Sequence, residues 1–103
     1  MVFNKTVSFQ RLRDVKNKFG ERIKDWVDVL TKKACIYPVS GKELFVEGTI
    51  NTEITHKIYV SYTNSIRPDM RIKYGSRIFK IQSIINLQER NRILQLMCKE
   101  LVE

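Results

Sequence analysis

Apolar and polar residues alternate with period two through most of this chain, and that pattern restricts its fold more than any other feature. Alternation marks strands with one buried and one wetted face. "TVSFQRL" sets Val7 and Phe9 against Thr6, Ser8 and Gln10. Trp26 opens a long strand toward Tyr37, in which Trp26, Leu30, Ala34 and Ile36 share one parity. "EITHKIYVSY" puts Ile54, His56, Ile58, Val60 and Tyr62 on one face and Thr55, Lys57, Tyr59 and Ser61 on the other. "MRIKY" and "RIFKIQSIINL" follow, the second with Phe79, Ile81, Ser83, Ile85 and Leu87 on one parity. Between them Gly75-Ser76 forms a hairpin turn, where glycine accepts the positive φ that primed turns require. After the polar turn "QERN" at 88–91, "RILQLMCKELV" places Leu94, Leu96 and Cys98 opposite Ile93, Met97 and Leu101.

About six strands joined mostly by short turns, in a chain of 103 residues, predict an all-β fold with one core and a single domain spanning 1–103. A small antiparallel β-barrel is favoured over a sandwich because closure leaves no long exposed edge. Its predicted core is Trp26, Ala34, Ile36, Ile58, Val60, Phe79, Ile81, Leu94 and Leu96. The charged stretch "RDVKNKFGERIKD" at 13–25 contains Gly20 and reads as a loop or loose hairpin connection. The last two strands are apolar on both parities, which calls for a cover: another subunit, a short helix or the N-terminal arm.

One stretch breaks the alternation. Pro38 lacks the N–H that a ladder needs and ends the strand begun at Trp26. Between it and Thr52 lie Ser40, Gly41, Lys42 and Glu43, a capping-box pattern that predicts a short helix through Val46 or Glu47. Gly48, Thr49 and Ile50 would stop it. A long loop or short helix thus joins the second and third strands, carrying Leu44, Phe45, Val46 and Ile50.

The chemistry is sparse. The first residues show no signal-like apolar run, and no stretch approaches the roughly 18 apolar residues that cross a bilayer, which predicts a soluble protein made in a cytoplasm and without a membrane partner. Cys35 and Cys98 sit in apolar segments and read as buried free thiols. His56 is the sole histidine, and its place on the apolar parity reads as structural. No Gly-rich phosphate loop, H-E-x-x-H or C-x-x-C occurs, so the residues predict no catalytic site, no metal and no cofactor. The net charge is +8, with nine basic and four acidic residues among the first 33. Such a surplus attracts polyanions. Two classes stay open on this reading. One is a nucleic-acid-binding barrel using Tyr59, Tyr62 and Tyr74 beside Lys57, Arg71, Lys73 and Arg77. The other is a structural assembly module that binds copies of itself or neighbouring proteins.

The order of the pieces adds a resemblance. Trp26, then "ACIYPVSGKELF" at 34–45, "EITHKIYVSY" at 53–62 and "IRPDMRIKYGSRIFKIQSI" at 66–84 closely resemble the phage head-tail adaptor family of siphovirus head-closure, or stopper, proteins. The likeness runs over about residues 6–100 in family order. It implies a β-barrel that forms a ring, a dodecamer in well-known members, under the portal and its adaptor ring. That ring closes the channel on packaged DNA and gives the tail-completion protein its docking surface. It also implies a virion location at the head-tail connector, reached from the host cytoplasm, and a monomer in isolation. In the family the connection between the second and third strands points to the channel axis. Here that connection is about Val39 to Asn51, with Ser40, Lys42, Glu43, Leu44, Phe45, Val46, Gly48 and Ile50 as the channel-loop and subunit-interface residues. The basic segment at 13–25 has no counterpart in the pattern.

Overall fold

A computed structural model describes residues 2–39, 45–46, 49–50 and 54–101. Among the described residues are eight strands: β1 (Lys5–Lys16), β2 (Arg22–Pro38), β3 (Phe45–Val46), β4 (Thr49–Ile50), β5 (His56–Ser61), β6 (Arg71–Tyr74), β7 (Arg77–Asn86) and β8 (Ile93–Leu101). Six of them close into an antiparallel barrel in the order β1-β2-β5-β8-β7-β6, while β3 and β4 pair with each other. The all-β barrel fold read from the alternation is the observed one.

Ladder register explains how the inner faces meet. Ala34, Val60 and Leu94 lie abreast on β2, β5 and β8, and one layer further along stand Ile36, Ile58 and Leu96. Phe9, Ile72 and Phe79 make the corresponding row across β1, β6 and β7. Val7, Phe9, Ala34, Ile58, Val60, Ile72, Phe79, Leu96 and Cys98 are fully buried. Ile66 and Met70, from the segment joining β5 to β6, also enter this cluster and fill one barrel end. Burying a side chain of this size stabilises by roughly 1.5–3 kcal/mol, so this row and its neighbours dominate the fold's stability.

Two β-bulges correct the expected faces. Phe9 pairs with Leu30 and Gln10 with Asp28, leaving Val29 as an extra residue in β2. The bulge turns Trp26 away from the core parity, and it stacks outside under the Arg71 guanidinium, 4.4 Å from the ring centre. A second bulge lies in β7, where Ile81 faces Cys98 and Ser83 faces Met97, so Gln82 is extra. Ile84 thereby packs against the core and Ile85 is left exposed, the reverse of the even alternation. Ile36 is half-buried, and the other seven expected core residues are buried.

The segment at 13–25 is not a loop. β1 runs through it to Lys16 and β2 starts again at Arg22, with paired residues down to Lys16 and Arg22. Only residues 17–21 turn: Asn17 N and Glu21 O bond at 2.9 Å, Asn17 Oδ1 accepts from the N–H of Phe19 and Glu21, and Gly20 takes φ +80°. Because β6 pairs with β1 only at Ser8–Gln10 and β5 with β2 only at Ala34–Pro38, the rest is a two-stranded ribbon. Six residues beyond Gln10 reach roughly 20 Å. The molecule is accordingly elongated, 50 × 28 × 22 Å, with a radius of gyration of 15.0 Å against about 13 Å for a compact chain of this length.

The N-terminal segment covers part of β2 instead of the last two strands. Its Val2 carbonyl accepts from the Cys35 thiol, which lies on the outer parity yet is only 4% exposed. Cys35 and Cys98 are both buried free thiols, and burial pushes Cys98 up to about 12. Of the outward apolar groups on β7 and β8, Met97 is buried, whereas Ile85 and Leu101 are exposed.

Candidate functional site

Antiparallel closure sorts every connection to one end or the other. At one end sit Pro38, His56, the Gly75-Ser76 turn and Leu101, and there the 39–55 connection leaves and re-enters the barrel. At the opposite end sit the ribbon, the 62–70 segment and the turn at 87–92. The anticipated channel loop and the basic segment are therefore on opposite ends.

Of the channel-loop residues, Ser40, Lys42, Glu43, Leu44 and Gly48 lie outside the described residues. Phe45 pairs with Ile50 and Val46 with Thr49, so this part is a two-stranded β-hairpin and not the helix the capping box suggested. Val46, Thr49 and Ile50 are β-branched and favour strands over a helix, which outweighs a four-residue cap signal. The connection is pinned at its root: Val39 N donates to Thr55 O, and Thr55 N to Cys98 O, both at 2.9 Å.

Beside that root, three strands are tied by side chains. Arg77 of β7 grips Glu100 of β8 through two bonds, Nε to Oε2 at 2.9 Å and Nη2 to Oε1 at 3.0 Å. Its Nη2 is also 3.3 Å from His56 Nε2 on β5. A guanidinium only donates, so Nε2 is the acceptor and Nδ1 carries the proton, which it gives to Thr55 Oγ1 at 2.9 Å. Thr55 Oγ1 accepts in addition from Glu100 N at 2.7 Å. Burial lowers the pKa of His56, against the pull of Glu100, and Arg77 reinforces the lowering. The hydrogen bond from Arg77 lowers that of Glu100. The imidazole meets Phe79 edge-on at 5.1 Å between centroids. His56 is thus a neutral, fully engaged structural residue whose free lone pair is already taken. The cluster can lock the barrel mouth; it offers no base or nucleophile. Sequence reasoning missed it because it depends on β7–β8 register.

The residues of the nucleic-acid alternative do not share a surface. β5, which carries Lys57 and Tyr59, and β6, which carries Arg71 and Lys73, are three places apart either way around a six-stranded barrel. Arg71 is engaged with Gln10 and Trp26, Arg77 with Glu100, and Tyr74 packs on the core; Tyr62 is exposed. Among the described residues, no three His, Cys, Asp or Glu stand together as a metal site would need, and no helix is long and apolar enough to cross a membrane.

A closed barrel whose polar groups brace its own mouth, with a connection at one end and a two-stranded ribbon at the other, fits a small structural assembly module. The chain belongs to the phage head completion protein family, whose sequence profile matches residues 2–101. It is 30% identical over 95 residues to the head completion protein gp16 of Bacillus phage SPP1, covering 88% of this chain and 87% of that one. Among solved structures, it is similar to protein SF1141 from Shigella flexneri 2a, with TM-score 0.75, 25% identity, and coverage of 98% of this chain and 95% of that one. A chain of the native gene transfer agent virion shares the fold with TM-score 0.69 at 19% identity, over 100% and 99% of the two chains. The protein is a structural head completion component of a phage virion.

Proposed function

We propose that this head completion protein forms a ring, with twelve copies, beneath the portal and its adaptor, closes the channel on packaged DNA and offers the tail its docking surface. On this reading it acts without catalysis, and its partners are further copies of itself, the adaptor ring, the tail-completion protein and the DNA in the channel. The observation that carries it is the placement of the 39–51 connection. It contains a short hairpin, it is rooted beside the Arg77–Glu100–His56 brace, and its removal would leave every barrel ladder in place. A segment so placed can meet neighbouring copies without disturbing any barrel ladder. Assembly then takes place in the host cytoplasm and ends in the virion connector.

Deleting residues 42–50 is the test. The shortened protein should keep the dispersed NMR spectrum of a folded barrel, and particles assembled with it should lose their DNA. Unfolding of the free variant, or particles that retain DNA normally, would overturn the proposal. Sizing the intact protein alone and then with portal–adaptor complexes tests the ring: a monomer alone and a ring on the complex are expected.

A further inference from the structure

At the end opposite the 39–51 connection, a cavity of about 410 Å³ lies between the root of the ribbon and the 62–70 segment. Arg11, Asn64, Ser65 and Arg67 line it with donors, and Leu30 and Met70 give it an apolar wall. Arg11 is the first residue of β1 past its last pairing with β6. Its Nε is shut off from solvent and has no acceptor among the described residues. A buried donor left in this state is costly, and native proteins rarely keep one without a partner.

We propose that this cavity binds a carboxylate side chain presented by an acidic segment of a neighbouring protein in the particle. A carboxylate only accepts and can bridge two N–H groups of one guanidinium, which is what Arg11 and Arg67 supply. The wall of Leu30 and Met70 suits the methylene stem of such a side chain. The ribbon above adds long-range attraction: Arg13, Lys16, Lys18, Arg22 and Lys24 outnumber Asp14, Glu21 and Asp25. Lys16 and Arg22 stand directly opposite each other near its tip, a like-charged pair that disfavours the free hairpin and that an acidic neighbour relieves. Duplex DNA fits less well. Its phosphates lie on a convex backbone, which does not enter a recess between the ribbon root and the 62–70 segment. The inference rests on membership of the virion and not on channel closure.

The experiment follows the Arg11 Nε–Hε resonance of the isolated protein while the peptide acetyl-Leu-Glu-Glu-Leu-Glu-amide is added, with the glutamine version of that peptide and a short duplex DNA as comparisons. The acidic peptide should move the resonance saturably and the glutamine peptide should not. Arg11→Gln and Arg67→Gln should each weaken peptide binding about tenfold or more, the loss expected for one charge-assisted pair. Lys80→Gln, an exposed charge removed from β7, should weaken it about twofold or less. Binding that leaves the Arg11 resonance in place, an equal loss from Lys80→Gln, or tighter binding of the duplex at Arg11 would each overturn the proposal. Because the titration uses the free protein and reads the ribbon end, its outcome is independent of DNA retention in particles.

Discussion

The barrel and the ribbon share two strands, β1 and β2, and are held by different forces. In the barrel halves of β1 and β2, Val7, Phe9 and Ala34 are fully buried, and β6 and β5 pair alongside. In the ribbon halves, Leu12 and Ile23 remain 43% exposed and each strand has only the other for a neighbour among the described residues. What continues the ladder there is cross-strand pairing: Arg13 with Asp25, Asp14 with Lys24, Val15 with Ile23. Such pairs contribute about 0.2–1 kcal/mol each. A free two-stranded hairpin is marginal in water, so the ribbon owes its order to the barrel that fixes its register and to the Asn17 turn that closes it.

The largest effect should separate the two regions outright. Phe79→Ala, at a fully buried barrel position, should cost about 3–5 kcal/mol in denaturant unfolding. Ile23→Ala in the ribbon should cost less than about 1 kcal/mol, because its side chain is 43% exposed and lies outside the core. Equal losses at the two sites would mean that ribbon and barrel share one core.

A smaller effect sits at their junction. Arg71 of β6 donates to Gln10 Oε1 at 2.7 Å, Gln10 Nε2 donates to Asp28 at 2.8 Å, and the same guanidinium covers Trp26. A double-mutant cycle on Trp26→Ala and Arg71→Ala should show coupling of about 0.5–1 kcal/mol. Zero coupling would cut the ribbon loose from the barrel wall.

The smallest effect is confined to the far end of the barrel. The folded pKa of His56 lies below its ordinary 6.5, so the fold favours the neutral ring. Stability should be full above 6.5 and decline as pH falls from there toward the lower folded value. Glu100, also lowered, adds a further decline when pH drops below its ordinary 4.5 and on through its folded value. In His56→Gln the first decline should vanish from the pH dependence of the urea midpoint. Ribbon resonances should not follow it, and their doing so would show that the two ends communicate.

What could be read from the sequence was what alternation records locally. Strand count, the Gly75-Ser76 turn and buried residues such as Ile58, Phe79 and Leu96 depend on a few neighbours each. Trp26 and Ile85 were misplaced because counting by twos carries parity straight through an extra residue, and nothing local announces Val29 or Gln82 as extra. The ribbon reads as a loop in sequence because neither of its faces is buried. Its signal was nonetheless present, in turn residues Asn17 and Gly20 centred between two alternating stretches. The Arg77–Glu100–His56 brace and the Arg11 cavity needed register between distant strands, which no local pattern contains. Of the proposed loop residues, Phe45, Val46 and Ile50 pair as strands with Thr49, following β-branched propensity over the cap pattern.

The two bulges also set where the length of this chain can change. Remove Val29, and Asp28 and Leu30 become ordinary neighbours on opposite faces, as they already are; remove Gln82, and the same holds for Ile81 and Ser83. At any other barrel position, losing one residue would turn over every side chain between that point and the end of the strand. One-residue gaps between this chain and its distant relatives should therefore gather at Val29 and Gln82, where evolution can insert or delete without inverting a face.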